Sequence, residues 1–198
     1  MRTLGAISAS WTVCWATTYT FEPAFYDVEI LRRLGDPPLN AVVLADDLRL
    51  ARALDEMAGL DAAEQWSLRH ANRTYLLRTV RLPGGVFHPK TILVGNRKHG
   101  RLLVGSGNIG FAGLDRGREV FHESDSADPD DAPSFASYRS WMDRIVSYVD
   151  DGLLRHRWLA LHGELPWLGA NADGARFLHN WSTPIVDQLV AGWQNEVR

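Results

Sequence analysis

The order of the strand-like segments restricts the fold of this chain more than any other feature of its sequence. The first sixty residues alternate strand, helix, strand and helix, a pattern that builds a parallel sheet. Two later strand-like segments, Val86–Val94 and Arg101–Val104, are joined by the turn-rich Gly95–Gly100, which is typical of an antiparallel hairpin. A chain with both patterns is expected to adopt an α/β fold with a mixed β-sheet flanked by helices.

Apolar periodicity and the residues that begin or end helices predict the remaining elements. The expected strands are Ser10–Thr20, Ala41–Ala45, Thr74–Leu82 and Glu119–His122, and the expected helices are Phe21–Leu34, Leu48 to about Gly59, Phe135–Val149, Leu153–Leu161 and Phe177–Trp193. Asp46 or Asp47 is a suitable N-cap for the second of these helices. The acidic segment Ser124–Pro133 is typical of a surface loop, and Gly169–Gly174 is typical of a linker.

Length and composition suit one soluble domain with a short extension. With 198 residues, 45% of them hydrophobic, the chain can bury one core. We expect a catalytic domain over residues 1–168, and over 169–198 a linker and C-terminal helix, which is either an outer helix or the opening of a further domain.

Cys14 is the only cysteine and cannot form a disulfide within the chain. Apolar runs are too short to span a membrane, and Met1–Ala16 resembles a signal peptide only faintly, so we expect a cytoplasmic protein without membrane contact.

Positive charge is concentrated in one part of the chain. The formal net charge of −3 by itself speaks against a nucleic-acid-binding protein. From Trp66 to Arg118, however, the local net charge is +9 and the rest of the chain sums to −12. The cations of this basic window are Arg69, Arg73, Arg78, Arg81, Lys90, Arg97, Lys98, Arg101, Arg116 and Arg118, and its one acid is Asp115. The asymmetry favours an anionic ligand, although a solvated face is the alternative.

Lysine usage points to one position within the basic window. The chain has nineteen arginines and two lysines, Lys90 and Lys98. A lysine in an arginine-rich chain suggests a site that needs a compact ammonium and not a planar guanidinium. Lys90 follows His88 by two residues in a strand-like segment, and this period places both side chains on the same face.

A second polar group follows the next strand. Gly105-Ser106-Gly107-Asn108 ends the predicted hairpin, and Glu119 opens another strand-like segment. The hairpin brings an imidazole, an ammonium, a hydroxyl, an amide and a carboxylate together, which suits a phosphate ester. Lys90 and Asn108 would hold its non-bridging oxygens, while His88 would be the nucleophile or proton carrier, with Glu119 fixing its tautomer. The expected substrate-binding residues around them are Gly105, Gly107, Arg116 and Arg118.

This spacing resembles the signature of the phospholipase D superfamily, which is His-x-Lys, usually an Asp a few residues on, and then Gly-Ser-x-Asn. The matching residues are His88, Lys90, Ser106 and Asn108, with Glu119 where a glutamate follows the Asn in nuclease members. Gly95 stands where the superfamily usually has its Asp. The resemblance covers Thr17 to about His122 loosely and Phe87–Glu119 well. It is closest to metal-independent, nuclease-type members, including restriction-endonuclease catalytic domains with one motif per chain.

The resemblance implies a phospholipase D-like fold and a phosphodiesterase that cleaves DNA or RNA in two steps, with no metal and no cofactor. One histidine attacks phosphorus and forms a phosphohistidine, a second protonates the leaving oxygen, and water resolves the intermediate. The mechanism requires two His-x-Lys motifs and the chain has one. The resemblance therefore implies a homodimer in which each subunit gives His88, Lys90 and Asn108 to a composite site. It also implies a role in bacterial defence or restriction.

Other interpretations stay open at the level of sequence. Gly105–Gly110 also satisfies the Gly-x-Gly-x-x-Gly pattern of dinucleotide sites, although the segment that follows is a poor helix. His88 and Lys90 are alternatively incidental residues of a surface hairpin. A phospholipid-cleaving or phosphatidyl-transferring enzyme would share the chemistry, and a catalytically inactive member that binds nucleic acid is compatible with Gly95.

Overall fold

One mixed sheet organises the computed structural model, which describes residues 7, 10–35, 40–58, 69–115, 118–169, 177–179 and 184–196. Its strands in these ranges are β1 (Val13–Thr18), β2 (Asn40–Asp46), β3 (Leu76–Val80), β4 (Thr91–Gly95), β5 (Gly100–Gly105) and β6 (Phe121–Asp125). They lie in the order β3-β2-β1-β4-β5-β6. β1, β2 and β3 are parallel, whereas the β1–β4, β4–β5 and β5–β6 pairs are antiparallel. The α/β class, the mixed sheet and the hairpin predicted from the sequence are confirmed.

The helices cover both faces of this sheet. They are α1 (Pro23–Phe25), which continues as a π-helical turn (Tyr26–Ile30) and a 3₁₀ turn (Leu31–Arg33), α2 (Asp47–Ala58), α3 (Ala132–Val149), α4 (Gly152–Glu164) and α5 (Ile185–Glu196). Shorter turns cover Phe111–Asp115, Pro129–Asp131 and Pro166–Gly169. The expected helix over Phe21–Leu34 is thus present as an irregular helical segment.

Period-2 alternation in the strands divides the core into two layers. In β1, Cys14 and Ala16 pack in the layer that also contains Phe25 and Tyr26 of the first helical segment. Val13 and Trp15 face the opposite layer, which α3 and α4 cover. The rings of Trp15 and Trp158 lie 4.9 Å apart there. Because both faces of β1 and β2 are buried, these strands read as continuous apolar runs.

Several predicted boundaries are wrong, for identifiable physical reasons. The strand expected over Val86–Val94 begins only at Thr91, because Pro89 has no N–H to donate to a strand partner. β6 is shifted into the expected loop Ser124–Pro133 and ends at Asp125. Phe177 is not helical but packs into the core beside α3, and the last helix starts at Ile185, directly after Pro184. Most of the predicted linker Gly169–Gly174 lies outside the described residues.

Candidate active site

The matched polar residues gather at one edge of the sheet. Because β4 is antiparallel to β1, the start of β4 lies beside the end of β1, with Thr91 opposite Thr17. Because β5 is antiparallel to β4, its end returns to the same edge, with Thr91 opposite Val104. The segments that leave β1 and β5 and the segment that enters β4 therefore meet at this edge, which we call the motif edge.

His88 and Lys90 are in contact at the motif edge, although they do not lie on a strand. The segment 86–90 is irregular, so the period-2 argument for a shared strand face is wrong. Contact arises because the Lys90 side chain folds back. Its Nζ lies 2.6 Å from Nδ1 and 3.0 Å from Nε2 of His88, and it donates to the His88 carbonyl at 2.9 Å. The ammonium and the imidazole thus form one unit.

The environment of this unit favours a neutral imidazole. Burial lowers the pKa of His88, and the nearby Lys90 ammonium lowers it further, while Asp46 opposes the shift. Lys90 itself is buried, with 6% of its surface exposed. Burial also lowers the Lys90 pKa, against the attraction of the Glu119 carboxylate. A neutral imidazole beside a cation is the form that a nucleophilic histidine requires.

Asn108 is held by the turn that follows β1. Its Oδ1 accepts hydrogen bonds from the backbone N–H groups of Tyr19 and Thr20, each at 3.2 Å, and lies 3.4 Å from the Thr18 hydroxyl. The same hydroxyl accepts from the Ile109 N–H at 3.0 Å. Because Oδ1 is occupied, the orientation of the amide is determined and its Nδ2 is left to donate elsewhere.

Ser106 and Glu119 form a separate pair. The Ser106 hydroxyl donates to Oε2 of Glu119 and accepts from the Val120 N–H at 3.1 Å. Within the described residues of this one chain no hydrogen bond joins Glu119 to His88, so its role in fixing the His88 tautomer stays a prediction. Glu119 orients Ser106 and acts on Lys90 through its charge.

Asp46 is a site residue whose role here the sequence did not reveal. One oxygen of its buried carboxylate accepts from the Arg49 N–H at 3.0 Å, which is the expected capping of α2. The other oxygen accepts from the Phe87 N–H at 2.8 Å. Asp46 therefore anchors the irregular segment directly before His88. The sequence indicated Asp46 as an N-cap candidate at the end of a buried strand, and not as a residue that contacts the segment before His88.

The expected substrate-binding residues are only partly accounted for. A Cβ on Gly105 would lie 2.3 Å from the Val120 carbonyl oxygen, and one on Gly107 would lie 2.9 Å from the Gly113 oxygen. Packing against neighbouring backbone thus already requires both glycines. Arg118 is exposed beside Glu119, and Arg116 lies outside the described residues.

A groove of about 910 Å³ begins at the motif edge and extends over the α3 side of the sheet. His88, Lys90 and Gly105 line one part of it. Aromatic and mixed side chains line the rest, namely Trp141, Tyr148, Phe177 and His179. Its volume is within the range of ordinary ligand sites. Among the described residues, no group of three or more His, Cys, Asp and Glu side chains is arranged to hold a metal ion.

Comparison with known proteins identifies the fold. A scan of the sequence against protein-family models found no match, and a search of the curated proteins found none. A variant of yeast tyrosyl-DNA phosphodiesterase matches 84% of this chain and 38% of its own, with a TM-score of 0.52 and 14% sequence identity. NucT from Helicobacter pylori matches 74% of this chain and 86% of its own, with a TM-score of 0.47 and 11% identity.

The similarity to the yeast protein extends to the fold alone. That protein belongs to the phospholipase D superfamily, so the phospholipase D-like fold expected from the sequence is confirmed. This chain spans 38% of the length of the yeast protein. No helix within the described ranges is long and apolar enough to cross a membrane.

Proposed function

We propose that this chain, which has the fold of the phospholipase D superfamily, is a metal-independent phosphodiesterase that cleaves DNA or RNA through a phosphohistidine intermediate. The observation that carries the proposal is the contact between His88 and Lys90 at the edge where Asn108 also lies. These residues supply a neutral nucleophile, a cation and an amide donor for a phosphate ester.

The proposed reaction follows from these three groups. Lys90 and the Nδ2 of Asn108 bind the non-bridging oxygens of the scissile phosphate. A ring nitrogen of His88 forms a bond to phosphorus while the bond from phosphorus to the leaving oxygen breaks, and a second histidine gives that oxygen its proton. Water then attacks phosphorus, the phosphorus–nitrogen bond breaks, and the water proton passes to the second histidine. Each proton transfer contributes on the order of 10²–10⁴ in rate.

Nucleic acid is the proposed substrate because of the charge near the motif edge. The basic window Trp66–Arg118 contains the four motif residues, which are His88, Lys90, Ser106 and Asn108. Arg118 is exposed beside Glu119, and Arg81 is exposed directly after β3. Arg78, in contrast, is engaged by Asp151 at 2.7 Å and supports α4. Cations that remain exposed near a phosphate site give a salt-dependent affinity for a polyanion.

The test is cleavage of labelled DNA and RNA oligonucleotides with EDTA present, followed by alkaline isolation of labelled phosphohistidine. The wild-type protein is expected to cleave and to carry the label. His88→Ala is expected to do neither, and His156→Ala, which removes an exposed histidine of α4, is expected to do both. Binding without cleavage would favour the inactive nucleic-acid-binding alternative. Hydrolysis of phospholipid vesicles without cleavage of either nucleic acid would favour the lipid enzyme.

The second histidine is proposed to be His88 of a second subunit in a homodimer with one composite site. Wild-type and His88→Ala chains, co-expressed in equal amounts with different tags, give half of the dimers as heterodimers. If every site needs two intact subunits, activity is expected to fall to about a quarter, and independent sites would retain about half. The half-activity result would favour His179 as the proton donor, because it lines the same groove as His88.

A bacterial defence role in the cytoplasm is proposed from the resemblance to single-motif restriction nucleases. Its test is phage plating on cells that express the wild-type protein or His88→Ala. Protection by the wild-type protein alone is expected, and equal plating on both strains would contradict the role without affecting the proposed chemistry.

A further inference from the structure

Tyr19 lies between the two halves of the motif edge and contacts both. It is the first residue after β1. Its ring centroid is 4.5 Å from that of His88, with a 50° angle between the planes. Its backbone N–H donates to Oδ1 of Asn108 at 3.2 Å. Tyr19 therefore connects the His-x-Lys segment with the Gly-Ser-x-Asn segment, although it is far from both in the sequence.

Arg49, in the first turn of α2, holds the phenol of Tyr19. Its Nε donates to the Tyr19 oxygen at 2.6 Å, and its guanidinium carbon lies 4.9 Å from the centroid of the ring. This is both a hydrogen bond and a cation–π contact. The ring is thereby restrained at its oxygen and on its face, and Lys90 Nζ lies 5.7 Å from the same centroid.

These contacts belong to a closed circuit of interactions, in which each residue contacts the next and the last returns to the first, around His88. The carboxylate of Asp46 accepts from the N–H of Arg49 through one oxygen and from the N–H of Phe87 through the other. Phe87 precedes His88, His88 packs on Tyr19, and Tyr19 returns to Arg49. A closed circuit restrains a side chain better than a single contact, because no member can turn without disturbing its neighbours.

His88 needs such support because it lies before the first residue of β4 and so outside that strand. The residue is exposed and lies in the irregular segment 86–90. The charged or titratable groups that face it are Lys90, Asp46 and Tyr19, with His179 in the wall of the shared groove. Tyr19 packs its ring against the imidazole. Correct orientation of a nucleophile matters because small misplacements reduce rates strongly.

We propose that Tyr19, held by Arg49, is a positioning residue that orients the imidazole of His88 with respect to Lys90 and Asn108. This inference rests on the proposed function of His88 as the nucleophile. The phenol ring covers part of the otherwise exposed imidazole, and partial burial is the first cause of the lowered His88 pKa. Loss of the ring is therefore expected to change both the rate of cleavage and the titration of His88.

The test compares Tyr19→Ala, Tyr19→Phe, Arg49→Ala and, as a matched control one turn further along α2, Arg52→Ala. For each variant we would measure kcat, KM and the His88 pKa by NMR titration of the free protein. Tyr19→Ala is expected to lower kcat about 10²-fold with little change in KM, because substrate-binding groups remain. Its His88 pKa is expected to rise toward the ordinary value, since the shielding ring is lost.

Tyr19→Phe and Arg49→Ala distinguish the effect of the aromatic ring from the effect of the contacts that hold it. Tyr19→Phe keeps the ring, so the His88 pKa is expected to stay low and kcat to recover most of the loss. Arg49→Ala is expected to lower kcat about 10-fold because the ring is less restrained. Arg52→Ala is expected to match the wild-type protein, since Arg52 is exposed on the same helix.

The NMR measurement keeps this inference separate from the proposed function. If the wild-type protein cleaves no nucleic acid, the proposed function fails, and the His88 titration still decides whether Tyr19 controls the imidazole. A folded Tyr19→Ala protein whose His88 titrates as in the wild-type protein would overturn the inference. So would an Arg52→Ala variant that loses as much activity as Arg49→Ala. Should Tyr19→Ala fail to fold, Tyr19→Phe and Arg49→Ala give the same decision through their kcat values.

Discussion

Two histidines flank the hairpin strand β4 at opposite edges of the sheet. Their partner side chains differ in charge, since one is an ammonium and the other a carboxylate. His88, before the strand, is in contact with the Lys90 ammonium. His99, after the strand, lies with its Nε2 2.6 Å from Oδ1 of Asp125, and its ring packs against Trp11. Burial and the neighbouring Lys90 ammonium lower the pKa of His88, whereas His99 makes a hydrogen-bonded contact with a carboxylate of β6. The same residue type therefore makes a structural contact at one edge and suits nucleophilic chemistry at the other.

The largest expected difference between the edges is in activity. His88→Ala is expected to reduce cleavage by at least about 10³-fold with little change in thermal stability, because it removes the proposed nucleophile. His99→Ala is expected to keep the wild-type rate and to lower the free energy of unfolding by less than about 1 kcal/mol, because the pair with Asp125 is partly exposed. Cleavage assays and thermal denaturation of both variants check this. Equal activity in the two variants would contradict the division of roles.

The two lysines offer a second comparison. Lys90→Met keeps most of the buried volume and removes the charge, and it is expected to lower the rate about 10²–10³-fold through loss of the proposed phosphate-binding cation. Lys98→Met changes an exposed residue of the β4–β5 turn and is expected to have no effect on the rate. Because Lys90 lowers the His88 pKa, the first substitution is also expected to raise that pKa. NMR titration of His88 in both variants measures the shift, and an unchanged value in Lys90→Met would count against the pairing.

Asn108 and Asn96 make matching hydrogen bonds at the two edges. Oδ1 of Asn96 accepts from the N–H groups of Lys98 and His99, at 2.9 and 3.1 Å, much as Asn108 accepts from Tyr19 and Thr20. Replacement of either by Ala is expected to cost about 1–2 kcal/mol of unfolding free energy, because one part-buried N–H group loses its acceptor in each case, that of His99 or that of Tyr19. Only Asn108→Ala is expected to lose activity, by about 10²-fold. Denaturant unfolding and cleavage assays measure both effects.

As the pH falls, cleavage activity at the motif edge is expected to be lost first. The contribution of Asp125 to stability at the opposite edge is expected to be lost at lower pH, and this effect is the smaller one. The pKa of His88 is lowered, so the neutral form persists below the ordinary value of about 6.5 and activity is lost as pH falls through the folded-state pKa. Burial raises the pKa of Asp125, but the Ala127 N–H, His99 and Arg101 outweigh it and hold that pKa below its usual range. The contribution of Asp125 to stability is thus present above the unfolded value of about 3.9 and is lost as pH falls through its folded pKa. Rate–pH and unfolding–pH profiles that coincide would contradict this order.

The class of the fold and the candidate site residues could be predicted from the sequence, because short-range patterns encode them. The hairpin around Gly95–Gly100 is confirmed as β4 and β5, because turn residues and alternation act over a few neighbours. The pairing of His88 with Lys90 was also expected, although for the wrong reason. It depends on a lysine side chain that folds back from an irregular segment, and Pro89 prevents the strand on which the prediction relied.

Only the tertiary structure decided how the site is supported. Asp46 reaches Phe87 across 41 residues, and Tyr19 reaches Asn108 across 89. No short-range spacing encodes such contacts, because they depend on which strands become neighbours in the sheet and on which direction each strand runs. For the same reason Glu119 bonds, within the described residues of this chain, to Ser106 and not to His88. The residues of the proposed chemistry could therefore be predicted from the sequence of this protein, whereas the residues that contact and support them depend on the order of its strands.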